Sequence, residues 1–228
     1  MAEPQHRSRR GRQAEAERND RRVLDAAREV FAAHGADATV AKIAERAGVG
    51  MGSLYRRYGS KSDLLRQLCM QAMEESIQAA EAALAAPDAW TGLSDYVHAS
   101  VARGSGALAP LAGSLETTPE MWETSRRGRR LLEQVVALAH SEGVLRSGVT
   151  ALDVAWLVEF FGRRGPAAPG TEDEAVRRRL LAISLDGLRN RDAGPLPGPA
   201  PSAQHYERRW SPNRATPTDQ IETIDESH

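Results

Sequence analysis

The stretch from Val23 to Leu68 constrains the fold most, because its apolar residues recur at helical spacing between sharp glycine breaks. Val23, Ala27, Val30 and Phe31, with Leu24 beside them, make one stripe, which Asn19 or Asp20 can cap and Gly35 can end. Thr39 is a good N-cap for a second helix, whose buried face is Val40, Ile43, Ala44 and Ala47. Gly48 supplies the left-handed residue that stops it. Gly50 then opens a third helix with Leu54 and Tyr58 inward and Met51, Ser53, Arg56 and Arg57 outward. Ser60 caps a fourth helix, and Lys61 in its first turn opposes the helix dipole unless a phosphate lies nearby.

Two short helices across the tight break Gly48-Val49-Gly50, the second carrying Tyr55-Arg56-Arg57, have the form of a DNA-reading helix-turn-helix. The segment resembles the TetR family of bacterial transcription regulators. The resemblance rests on Ala26-Ala27, Phe31, Gly35, Thr39-Val40, Ile43-Ala44, Ala47-Gly48-Val49, Gly52-Ser53-Leu54-Tyr55, Tyr58, Ser60-Lys61 and Leu64-Leu65. It implies DNA contacts from Thr39, Val40, Lys42, Gly50, Met51, Gly52, Ser53, Tyr55, Arg56, Arg57 and Lys61. Met51 stands where the family often has a polar or basic residue, and Ala41 is short for a phosphate contact. Arg56 and Arg57 can each reach a guanine edge or a phosphate, and the sequence leaves open which one reads bases.

Net charge is −1, so bulk charge says nothing about nucleic acid, but its distribution does. Residues 1–66 hold 14 Lys and Arg against 9 Asp and Glu, a net +5; residues 67–228 hold 16 against 22, a net −6. A basic end on an acidic body suits a nucleic-acid reader joined to something that should not bind DNA. Cys69 is the only cysteine, so no disulfide within the chain and no Cys-based metal site is expected. There is no 18-residue apolar run and no apolar leader, so the expectation is a soluble, cytoplasmic protein without membrane contact. No Ser-His-Asp order, HExxH or phosphate loop is present, so neither catalytic residues, a cofactor nor a metal is expected.

The remaining signals predict an all-α chain of about nine helices. Helix four runs from Lys61 to about Ala85, keeping Leu65, Leu68, Cys69, Ala72, Met73, Ile77 and Ala80 on one face. Asp88 caps the next, and Ala107 to Ala112 make a short one. Thr118-Pro119 opens a helix that ends at Gly143. Thr150 with Asp153 starts another, and Thr171 with Glu174 forms a capping box for the last, ending near Asn190. The expected organisation is a disordered basic tail over 1–18, whose arginines can enter a minor groove. A DNA-binding domain then covers 19–66, and a helical effector-binding and dimerisation domain covers 67–192. Residues 193–228 hold six of the twelve prolines and few apolar residues, which predicts a disordered tail, with Tyr206 and Trp210 able to anchor a short contact.

The resemblance implies an effector pocket in the body, with Met70, Met73, Tyr96, His98, Met121, Trp122 and Trp156 as wall candidates, each of which reads first as an ordinary core or interface residue. It also implies a homodimer formed by a four-helix bundle, two helices from each chain. Trp156, Leu157, Phe160, Phe161, Val176, Leu180, Ile183 and Leu188 supply the apolar stripes for that bundle. The resulting reading is a dimeric repressor released from a near-palindromic DNA operator by a small-molecule effector. The rivals are a regulator governed by a protein partner or by abundance, and an all-α enzyme or ligand carrier.

Overall fold

The computed structural model describes residues 4–111, 113, 115–163, 170–190 and 194–211, with side chains described from Arg18 onward except at 36 and 110. Among the described residues there are nine α-helices and no strand. They are α1 (Pro4–His34), α2 (Val40–Ala47), α3 (Met51–Tyr58), α4 (Lys61–Leu84), α5 (Ala89–Ala102), α6 (Pro119–Ser141), α7 (Ala151–Gly162), α8 (Glu172–Leu188) and α9 (Ala203–Trp210). The expected short helix at 107–112 is a single 3-10 turn, Ala109–Leu111.

The local signals set these boundaries. Thr39, Ser60, Asp88, Thr118, Thr150 and Thr171 each cap a helix, with a side-chain oxygen accepting from a backbone N–H three residues on. Each such cap contributes about 1 kcal/mol. Gly48 sits at φ 66°, where any side chain would be strained, and its backbone ends α2. At Thr150 the capping box is closed by Asp153. At Thr171 it is not: the Glu174 carboxylate reaches past the cap and accepts from the Gly170 N–H at 2.7 Å.

Two expectations about the ends are corrected. Helix α1 starts at Pro4 rather than near residue 19, so the segment expected to be a loose tail is helical. Neither candidate cap is used as one, because Asn19 accepts from Arg22 and Asp20 pairs with Arg57. Ala14-Glu15-Ala16-Glu17-Arg18 favours helix, so nothing stops it there. At the other end, residues 194–202 run without helix over the body, and the proline-free stretch Ala203–Trp210 is helical, capped by Ser202. The rest of the expected disordered tail, 212–228, lies outside the described residues.

The core has two clusters. The first joins α1–α3 to the start of α4 and to Leu108, Leu111, Leu115 and Met121; Phe31, Ile43, Leu54, Leu64 and Leu68 are fully buried in it. The second holds Leu93, Val97, Leu132, Val136 and Val154 between α4–α8. Helix α4 belongs to both, so the expected division at 66/67 falls inside one continuous helix. Arg28 of α1, itself buried, reaches Glu75 of α4 at 3.2 Å and ties the clusters together.

Candidate DNA-reading face and effector cavity

Short turns and a shared core fix α2 and α3 against α1, and this leaves one polar face. Thr39, Lys42, Gly50, Gly52, Ser53, Arg56 and Arg57 are exposed there, as are Met51 and Tyr55 at 43% and 44% of their full surface. Large apolar side chains left in water on a short basic helix suit contact with base edges and sugars. Val40 departs from expectation: its side chain is buried, so only its backbone remains available. Lys61 is half-buried with its Nζ 5.9 Å from the centre of the Phe31 ring.

The two arginines are separated by their neighbours. Arg57 donates Nε–H to Asp20 of α1 at 3.0 Å and forms a second bond to the same carboxylate. Arg57 therefore braces α3 against α1, while Arg56 points into solvent. Beneath the pair, burial and then the Asp20 charge push the Tyr58 hydroxyl up to about 12.

The body contains a cavity of about 200 Å³. Cys69, Ala72, Met73 and Ser76 of α4, Tyr96 of α5, and Met121, Trp122 and Leu132 of α6 line it, closed by Leu152, Ala155 and Glu159 of α7. Its wall is apolar with a fringe of hydroxyls, as befits a small-molecule site. Burial raises the Cys69 thiol to about 12, which leaves it unreactive. Of the expected wall residues, Met73, Tyr96, Met121 and Trp122 are in place. Met70 packs instead on the first core cluster, His98 is exposed, and Trp156 lies under α9.

Sequence reasoning missed the cavity's most polar corner. Glu159 is only 5% exposed, and both its oxygens accept from Arg209 of α9, at 2.8 and 3.0 Å. Arg163 adds a bond at 3.0 Å. The carboxylate is held there by backbone: a Cβ on Gly106 would lie 2.1 Å from the Glu159 carbonyl oxygen, so only glycine lets that turn press on α7. The available signal was one acid inside the apolar run Leu157-Val158-Glu159-Phe160-Phe161. Tyr206, Glu207 and Trp210 of α9 complete the cavity wall, and Glu207 accepts from Arg129 at 2.6 Å. Burial holds the Tyr206 hydroxyl up at about 12.

The expected dimer residues divide. Phe160, Val176, Leu180 and Ile183 are exposed, Phe160 at 72%. Leu157, Phe161 and Leu188 pack partly on the second cluster, and Trp156 is taken by α9. Among the described residues no helix is long and apolar enough to cross a membrane, and no group of side chains is arranged to hold a metal.

Residues 23–68 match the family described as bacterial regulatory proteins, tetR family, and residues 86–190 match the C-terminal domain of SbtR-like transcriptional regulators. This chain belongs to the TetR family of transcriptional regulators. An HTH-type transcriptional regulator, SrpR of Pseudomonas putida, is 46% identical over 54 residues, which is 23% of this TetR-family chain and a quarter of the relative's length. A TetR transcription regulatory protein from Mycobacterium vanbaalenii is 26% identical; the likeness covers 78% of this chain and 98% of that one at a TM-score of 0.54. The TetR regulator SCO0520 of Streptomyces coelicolor shares the fold at 22% identity, over 75% and 98% of the two chains, also at 0.54. The C-terminal match ends at residue 190, so the TetR-family regulator carries its α9 beyond the matched domain.

Proposed function

We propose that this TetR-family regulator is a homodimeric repressor that leaves a near-palindromic operator when a small molecule fills the body's cavity. The observation that carries this reading is that α4 runs unbroken from the core of the DNA-reading segment into the cavity wall. A ligand among Met73, Ser76 and Tyr96 presses on the helix whose first turns hold α1 and α3. If it favours a geometry that misplaces α3, it shifts the population away from DNA.

Thr39, Lys42, Met51, Ser53, Tyr55, Arg56 and Lys61 are the proposed contacts, with Gly50 and Gly52 allowing close approach of the backbone. The exposed Phe160, Val176, Leu180 and Ile183 are proposed to pair α7 and α8 with their copies. The half-sites of such an operator lie about 34–36 Å apart, one turn of DNA. Such a protein works where the genome is, in the bacterial cytoplasm.

The test is to sequence DNA fragments selected by the purified protein and to titrate the recovered site in a mobility-shift assay. A two-fold-symmetric site bound by two chains is expected. Selection that recovers no common sequence overturns the reading.

A further inference from the structure

Glu159, Trp156 and Arg209 are arranged as a recognition site with its guest already seated. The Arg209 guanidinium gives two hydrogen bonds to the Glu159 carboxylate, at 2.8 and 3.0 Å. The same guanidinium lies 4.3 Å from the centre of the Trp156 ring. A buried carboxylate beside an indole face is selective for a delocalised cation. Glu159 is also part of the wall of the apolar cavity, so the cation subsite and the cavity are contiguous. The guest arrives on an eight-residue helix beyond the matched family domain, held also by Glu207 on Arg129, by Trp210 on the first core cluster and by His205 and Tyr206 against the Trp156 ring.

We infer that Arg209 is an internal competitor: Glu159 and Trp156 form a cation subsite at the edge of the effector cavity, and the effector is an apolar molecule bearing a guanidinium or amidinium group that displaces α9. This inference rests on the effector reading of the cavity. The physical reason is compensation. When a guest takes the place of α9 and covers Glu159 again, the carboxylate keeps only Arg163, whose side chain is half exposed and so weakly held. A neutral guest leaves that carboxylate short of a partner, whereas a cationic guest restores both the charge and the stacking contact. Because α9 must open first, the apparent affinity of any such ligand is lowered by the fraction of chains in which α9 is closed.

The experiment uses a matched pair of probes on the full-length protein: 4-butylbenzamidinium and its neutral counterpart, 4-butylbenzamide. Calorimetry is expected to give at least tenfold tighter binding for the amidinium. Glu159→Gln should abolish that preference. Arg209→Ala should tighten the amidinium at least tenfold by removing the competitor, and thermal melting should confirm that the variants are folded. Arg209→Ala keeps the test independent of any misfolding in Glu159→Gln. Equal binding of the two probes, binding of neither, or an amidinium affinity unmoved by Arg209→Ala overturns the cation subsite. Operator occupancy is read in parallel. If the amide binds equally well and releases DNA, the effector reading stands and the subsite falls. If the amidinium binds with the expected preference and DNA stays bound, the subsite stands and the effector reading falls.

Discussion

The two ends of α4 serve regions built on opposite plans. At its N-terminal end the chain is closed: Phe31, Ile43, Leu54, Leu64 and Leu68 are fully buried, the turns are short, and Arg57 is clamped to Asp20. From its third turn onward the chain is open: the body holds a cavity, an apolar face on α7 and α8 lies in water, and α9 is laid across the cavity from outside. A reading surface needs one geometry, because a shift of an ångström costs its contacts. A body that responds to something must instead have a second arrangement within a few kcal/mol. Filling the first cluster and leaving space between it and the second suits both needs within a single chain.

The largest effect expected from this comparison is at the open face. Phe160→Glu should give monomers by sedimentation and lower operator affinity by roughly two to four orders of magnitude, the gain that linked sites provide. A Phe160→Glu protein that remains dimeric would place the interface elsewhere. Next is packing. Ile43→Ala should cost about 2–5 kcal/mol in urea unfolding, as in other filled cores. Met73→Ala should cost less, because its side chain already borders space. Equal losses would erase the contrast between the regions.

On the closed side, Tyr55→Ala and Arg56→Ala should each weaken operator binding by about 1–3 kcal/mol with unchanged melting. Arg57→Ala should also lower the melting temperature, because it frees Asp20 beside the buried Tyr58. Mobility shifts and thermal melts on the three variants separate the two roles. On the open side, removing residues 194–228 should lower the melting temperature by a few degrees, at roughly 2–4 °C per kcal/mol for a chain of this size. Unchanged melting would mean that the α9 contacts contribute nothing net.

The smallest effect is in pH. The Ser60 hydroxyl holds Asp63, and the Thr91 backbone N–H holds Asp88, below the ordinary carboxylate value of about 3.9. Their folded values are depressed, so the stability they add is present above that value and is lost as pH falls through the lowered ones. Burial moves Asp25 the other way, so ionising it costs stability as pH rises between its ordinary and raised values. Asp88→Asn should therefore flatten the acid limb of a melting-temperature profile, and Asp25→Asn should remove a loss of stability just above it.

How much of this was legible in the sequence depended on range. The helix that begins at Thr118-Pro119 could be placed to the residue because cap and proline are adjacent. Helix α9 was not legible because averaging proline over residues 193–228 hid the eight proline-free positions after Ser202. Tyr206 and Trp210, spaced four apart, were the visible hint. On α7, periodicity marked Trp156 and Phe160 as one apolar surface, yet Trp156 is covered by α9 and Phe160 is bare.

The sequence by itself determined helices α2 to α8, their caps, the left-handed stop at Gly48 and the helix-turn-helix, because each depends on residues within one or two turns of each other. The tertiary structure alone decided which arginine braces α3, which candidates reach the cavity, and what neutralises Glu159. Those outcomes join Asp20 to Arg57, Glu207 to Arg129 and Arg209 to Glu159, 37, 78 and 50 residues apart. At such separations periodicity and capping carry no information, and only the packing of the helices brings the charges within reach.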